Sequence, residues 1–250
     1  MTKRRSQSRG GGKSARAARA PAPQMSLKSR LLLGFPLALA LALGVLFGPA
    51  GSWAFWQGWA FLAVLFVPNA FTLFYFNRHD PRFLERRLQT GEQAEEQKSL
   101  LKWGKPLYIV AFLLPGFDYR WGWSRSLLGP VPLWLTLLSL AMVFLCMVLV
   151  FRVLKANRFA ARTVRVEAGQ TVVSSGPYSL VRHPYYAATV VLWLFTPLAL
   201  GSFVAWPAFV LLIPLYVLRL LNEERILREK LPGYSDYCLR TRFRLVPFVW

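Results

Sequence analysis

The sequence predicts an all-α polytopic membrane protein with five to six transmembrane helices and a cytosolic subdomain toward the C-terminus. Three observations predict it. Of 250 residues, 55% are hydrophobic, and the mean hydropathy is +0.35. The apolar residues come in blocks rather than amphipathic stripes, which suits membrane spans and not a soluble core. Basic charge is also segregated. Of 31 Lys and Arg, nine lie in 1–30, seven in 77–105, six in 152–182 and seven in 219–250, leaving only Arg120 and Arg125 elsewhere. Six spans with the N-terminus inside put 29 of these on one side and two on the other, the positive-inside bias. Both termini are therefore expected in the cytoplasm, and the net charge of +20 reports topology, not nucleic-acid binding.

A helix crossing about 30 Å of hydrocarbon needs roughly 20 apolar residues. Candidate spans lie at 31–50, 53–76, 106–117, 127–151, 184–200 and 203–221. The third is short and interrupted by Pro106 and Pro115, so a re-entrant or interfacial segment competes with a span there. Before the first span, residues 1–26 lack any acidic residue and are rich in Arg, Ser, Gly and Ala. That stretch reads as a disordered basic tail, with a transit peptide or an over-extended start ahead of Met25 as rivals. The loop after the second span opens NRHDPRFLERRL. Asp80-Pro81 starts a helix with Phe83, Leu84 and Leu88 on one side and Arg82, Glu85 and Arg86 toward the other, a pattern expected to lie on the inner membrane surface. FDYRWGWS at 117–124 has the make-up of an outer interfacial belt. VRVEAGQTVVSSGPYSLVRHP reads as a short polar hairpin-like excursion on the inner side. The last span runs without a breaker through LRLLNEERILREKL, so one helix leaves the membrane and stops at Pro232-Gly233.

Several chemistries are excluded. No dinucleotide or phosphate-binding glycine loop, no HExxH and no GxSxG is present. Two histidines and two distant cysteines, Cys146 and Cys238, build neither a metal site nor a disulfide framework, and both cysteines read as structural. All eleven carboxylates lie in loops or at span ends, unlike those of an ion pump.

Polar residues at a bilayer edge are costly unless paired or wet, and two clusters stand out. Tyr178, Arg182, His183, Pro184 and Tyr186 lie at the mouth of the fifth span; Arg219, Glu223 and Glu224 lie where the sixth emerges. A short connection makes the two spans an antiparallel pair, so their inner ends lie side by side and the clusters should meet. Against this, Arg219 and Glu223 have the spacing of an ordinary helix pair worth a few tenths of a kcal/mol, and Arg182 could be a snorkelling positive-inside residue.

The ordered motifs G-P-Y-x-x-V-R-H-P-x-Y, a hydrophobic hairpin, R-x-x-x-E-E, L-P-G-Y-x-x-Y and R-x-R-L-x-P resemble the isoprenylcysteine carboxyl methyltransferase family, whose general signature phospholipid N-methyltransferases share. The resemblance covers about 157–250. It implies a pocket for S-adenosylmethionine on the cytosolic side, roofed by the C-terminal segment and built without a Rossmann domain. It assigns Tyr178, Arg182, His183, Pro184, Tyr186, Glu223 and Glu224 to cofactor binding, and Arg219 and Glu224 to catalysis. It also implies a lipophilic acceptor presented by the bilayer, without metal or nucleic acid. Where the family often has glycine, this chain has Ala188. The domain organisation that follows is a tail at 1–26, transmembrane helices with an amphipathic loop at 27–156, and a catalytic region at 157–250. O-methylation of a carboxylate is the expected reaction. Phospholipid N-methylation, an NADPH-dependent sterol-type reductase and a non-catalytic lipid-binding protein are the alternatives.

Overall fold

The computed structural model describes residues 26–88, 95–159 and 169–250. The expected basic tail, as far as residue 25, and residues 160–168 of the polar excursion lie outside the described residues. In chain order the helices are α1 (Leu27–Ala50), α2 (Trp56–His79), α3 (Pro81–Leu88), α4 (Glu95–Trp121), α5 (Trp123–Leu127), α6 (Leu133–Ala156), α7 (Pro184–Ala199), α8 (Trp206–Val210), α9 (Leu212–Lys230) and α10 (Tyr234–Arg240). A 3-10 turn at Gly176–Ser179 precedes α7, and no strand occurs among the described residues. The described part of the expected hairpin, 169–175, has no regular structure.

Four helical stretches are long and apolar enough to cross a membrane: α1, α2, α6 and the α8–α9 rod, Trp206–Lys230. The shorter α7 is also apolar. Their outward side chains, among them Leu33, Leu37, Phe71, Phe74, Trp134 and Leu138, are exposed, which is unfavourable in water and fitting in lipid. This is an integral membrane protein of all-α architecture. The core lies between the helices, where Leu46, Phe55, Phe61, Val143, Ala199, Phe209 and Leu212 are buried.

The third segment is neither re-entrant nor broken. α4 is one helix through both Pro106 and Pro115. Neighbouring helices support it, as membrane helices tolerate proline when packed against protein. α1 and α4 run parallel and nearly touch: a Cβ on Gly116 would sit 2.5 Å from the Leu46 carbonyl oxygen and 3.0 Å from Pro49. Only glycine permits that approach.

The C-terminal end of α4 is tied to the α7–α8 turn by a buried carboxylate. Asp118, on the last turn of α4, accepts from the Ser124 backbone N–H at 2.7 Å and from the hydroxyls of Ser124 and Ser202. Those hydroxyls in turn accept from Phe203 N and Val204 N, and from Ala205 N. The belt around 117–124 is thus a structural knot joining α4 to the α7–α8 turn.

α3 corrects an expectation. Its start is as foreseen, with Asp80 Oδ1 accepting from Phe83 N at 3.0 Å. Its apolar face does not lie on lipid: Phe83 and Leu84 are buried against Phe76 and Leu154, under the C-terminal ends of α2 and α6. A contact from Arg158 to Asp80 at 3.7 Å and a bond from Arg86 to the Arg158 carbonyl at 3.2 Å pin it there. An amphipathic pattern shows that one face is buried, not what buries it.

Candidate active site

The site begins at the lip of α7. Pro184 occupies the first helical turn, where a missing N–H costs nothing and the fixed φ favours helix entry. The two residues before it are buried, at 7% and 5% exposure for Arg182 and His183. Their backbone groups are paired by the strap that follows α10: Arg182 N donates to Phe243 O at 2.9 Å, and His183 N to Arg244 O at 3.0 Å. The strap folds back on itself through Leu245 N and Val246 N to Trp250 O, and the Arg244 guanidinium lies over the Trp250 ring.

α9 carries the facing half. Leu220 and Glu224, one turn apart, form its buried seam. Glu224 is 3% exposed and sits among cations: Arg228 donates from Nη2 at 2.7 Å and Nε at 3.2 Å, Arg244 from Nε at 2.7 Å, and Arg182 Nη1 stands at 3.4 Å. His183 Nε2 lies 3.8 Å away and Cys238 Sγ 4.0 Å. A buried carboxylate needs such partners, because its desolvation otherwise costs several kcal/mol. Here the partners exceed the need. Three guanidiniums face one carboxylate, and Arg182 Nε is buried with no hydrogen-bond partner.

A second arm lies toward the membrane. The Tyr186 hydroxyl donates to Glu223 Oε2 at 2.6 Å, and the Arg219 guanidinium interacts with the same hydroxyl. Tyr216 packs on Tyr186 at 6.2 Å and its hydroxyl bonds that of Tyr108. The third side is aromatic. Tyr178 accepts from Asn157 Nδ2 at 3.1 Å, Tyr237 donates to the Tyr178 carbonyl at 2.7 Å, and the Tyr234 hydroxyl lies 3.4 Å from His183 Nε2. Burial pushes the Tyr178 phenol up to about 12 and raises Tyr234 and Tyr237 as well. All three remain neutral at physiological pH and present flat rings with hydroxyl donors.

The two sequence clusters therefore meet, joined by Tyr186–Glu223 and by Arg182, His183 and Glu224. They form two layers. Arg219 belongs with Tyr186 and Glu223, one helical turn from the Glu224 cluster. Ala188 is in neither layer: it is buried in the core below, where its methyl is accommodated. Sequence reasoning passed over Arg228, Arg244 and Asn157. Arg228 had a signal, its spacing four residues after Glu224. Arg244 stood inside a quoted motif without a role.

One comparison with known proteins bears on this arrangement, and the methyl-transfer chemistry it supports is that of a membrane enzyme. From α6 to the end of α9, residues 135–230 match the isoprenylcysteine carboxyl methyltransferase (ICMT) family, the family that the chain's ordered motifs resemble.

Proposed function

We propose that this protein transfers a methyl group from S-adenosylmethionine to the carboxylate of a lipophilic acceptor at the cytoplasmic face of the membrane. The observation that carries the reading is the convergence of three guanidiniums on the buried Glu224, with Nε of the buried Arg182 left without a hydrogen-bond partner among the described residues. Such a site calls for an anionic group from outside the chain. The cofactor's amino-acid carboxylate fits it. Arg182, with Arg244 behind it, binds that carboxylate by charge-assisted hydrogen bonds. Glu223 offers an acceptor for an ammonium or for ribose hydroxyls. Tyr178, Tyr234 and Tyr237 supply rings for a flat base.

When bound, S-adenosylmethionine supplies an electrophilic methyl group on a sulfonium. The chain's own work is alignment and exclusion of water. Glu224 already accepts from guanidiniums on both oxygens, so we assign it the role of a positioning residue that holds Arg182, Arg228 and Arg244. Arg219, one turn nearer the bilayer, orients an acidic acceptor. An ionised carboxylate needs no general base.

Calorimetric titration of the full chain in detergent with S-adenosylmethionine, and separately with NADPH, tests the reading. Binding of the first alone is expected. Binding of NADPH instead favours the reductase alternative, and binding of neither overturns the enzyme reading. With methyl-labelled cofactor and a membrane extract, label released as methanol in mild base identifies an ester; base-stable label overturns carboxylate methylation.

A further inference from the structure

The strap after α10 does more than pair the α7 lip. Its Leu245 is buried against Tyr186, on the first turn of α7, and against Leu220 of α9, with Ala187 and Val190 alongside. At 1.5 Å per residue, Val190 stands about 9 Å along α7 from Pro184. The strap is therefore wedged between two helix ends at the level where the apolar part of α7 begins.

Beyond Leu245 the chain makes one tight turn. Val249 N donates to Val246 O at 3.2 Å, with Pro247 and Phe248 between them. Proline at the first central position and a positive φ at the second are the marks of a type II turn, in which the second position is ordinarily glycine. Here it is Phe248, at φ 65°, and no other non-glycine among the described residues has a positive φ. A bulky side chain is strained there. The turn leaves that ring 89% and Val249 78% exposed, and Val246 is exposed beside them. A contact with the Phe243 ring at 5.3 Å hides little of Phe248. Leu239, on the last turn of α10, and Leu180, two residues before Arg182, are exposed as well. Apolar side chains grouped in this way are unfavourable in water. The charge around them has one sign. From residue 237 to 250 the chain carries Arg240, Arg242 and Arg244 and no acidic side chain. Arg244 is engaged by Glu224, whereas Arg240 and Arg242 are exposed.

We propose that the 246–250 turn inserts into an anionic bilayer surface beside α7, and that this lipid contact clamps the strap over the Glu224 cluster. Exposed aromatic and aliphatic side chains next to arginines, at the start of an apolar helix, match such a surface: the acyl region takes the ring and the headgroups take the guanidiniums. The same strap brings Arg244 to Glu224 and supplies the carbonyls that pair Arg182 N and His183 N. A strap lifted from the membrane thus withdraws one cation and two acceptors from the cluster together. The strained turn acquires a purpose, since it is what turns Phe248 out. The lipid contact does not rest on the methyltransferase reading, because the bilayer itself is the ligand.

The test uses the full chain in phosphatidylcholine nanodiscs, with and without phosphatidylglycerol. A nitroxide on Val249→Cys should be relaxed more by oxygen, which concentrates in lipid, than by an aqueous nickel chelate, and the bias should grow with the anionic lipid. The unsubstituted chain is the labelling blank, since Cys146 and Cys238 are buried. In that chain Cys238 reports on the strap, because it lies 4.0 Å from the Glu224 carboxylate that Arg244 also engages. A water-soluble thiol reagent should modify it about tenfold more slowly in anionic than in zwitterionic discs. Arg240→Gln combined with Arg242→Gln should remove that difference, as should high salt. Phe248→Gly separates anchoring from local strain. Glycine relaxes the turn, so a strap held only by the protein would close more firmly and protect Cys238 better. The clamp predicts the reverse, with reactivity in anionic discs rising to the zwitterionic level. A nitroxide that stays in the aqueous phase in both lipids, as it would if the patch met a protein partner instead, overturns the proposal. So does equal protection of Cys238 in the two lipids, or a Phe248→Gly chain that protects it as well as the original. None of these readouts involves a methyl donor, so their failure leaves the methyltransferase reading standing, and failure of that reading leaves the lipid contact.

Discussion

Two buried carboxylates hold the two ends of this molecule, and they are treated oppositely. Asp118, at the C-terminal end of α4, is surrounded by neutral donors, and the hydroxyls that serve it accept in turn from the backbone of the α7–α8 turn. That network closes on itself. Glu224, at the opposite end, faces three guanidiniums, more charge than it can neutralise, with Arg182 Nε left over. Both arrangements satisfy the carboxylate. Only the second leaves, among the described residues, a buried donor without a partner, so the balance of partners and not burial separates the two ends.

Four perturbations test that contrast, in order of expected effect. Glu224→Ala removes the carboxylate that pairs the buried Arg182 and the partly exposed Arg228 and Arg244, and stranding a buried charge costs about 3–5 kcal/mol. Cofactor binding should fall below detection and the inner end should loosen, read as exposure of Cys238 to a thiol reagent. Wild-type affinity in this variant would show that the cluster is not a site. Arg182→Ala and His183→Ala should each reduce cofactor affinity about ten- to a hundredfold while leaving the protein inserted. Unchanged affinity in both would remove the anion-binding role from the α7 lip. Asp118→Ala should act on the other side of the comparison, lowering stability by about 1–3 kcal/mol with no change in cofactor affinity. A matched loss of affinity would mean that the two ends are coupled.

The smallest effect is a pH dependence. The Tyr178 phenol is raised by burial from 10.0 to about 12 in the folded chain. The folded state therefore keeps a proton that the unfolded chain releases. The contribution is fully present below pH 10 and is lost as pH rises from 10 toward about 12. Melting temperature should decline over that window, and Tyr178→Phe should flatten part of the decline. An identical slope in the variant would assign the alkaline loss elsewhere.

Much of the fold was legible because lipid imposes a simple code: an apolar run long enough to span, closed by polar ends. α1, α2, α6 and the α8–α9 rod obey it. α4 hides from it because Pro106, Pro115 and a polar beginning break the run, although neighbours such as α1 carry those irregularities. The orientation implied by the charge asymmetry remains to be tested with reporters. Fusions after Trp250 and within 117–126 should face opposite sides, and agreement between them would break the proposed topology. Of the site, the meeting of Arg182 and His183 with Glu224 was legible from one short hairpin between two spans. The convergence of Arg244 was not, since nothing local says that the strap returns to pair with Arg182 N and His183 N. The sharing of roles was equally hidden: the resemblance gave Glu224 both a catalytic and a cofactor-binding role, and nothing local says that three guanidiniums converge on its oxygens.

That strap also sets an order of events during biosynthesis. Translation lays down α7 and threads it into the bilayer well before Phe243 and Arg244 exist to accept from Arg182 N and His183 N. A nascent chain can thus have every membrane helix synthesised, with Arg228 already beside Glu224 on α9, while its α7 lip is still unpaired and Arg244 is still to come. A released chain truncated after α9 and before residue 243 should therefore insert yet fail to bind cofactor, which separates insertion from completion of the site.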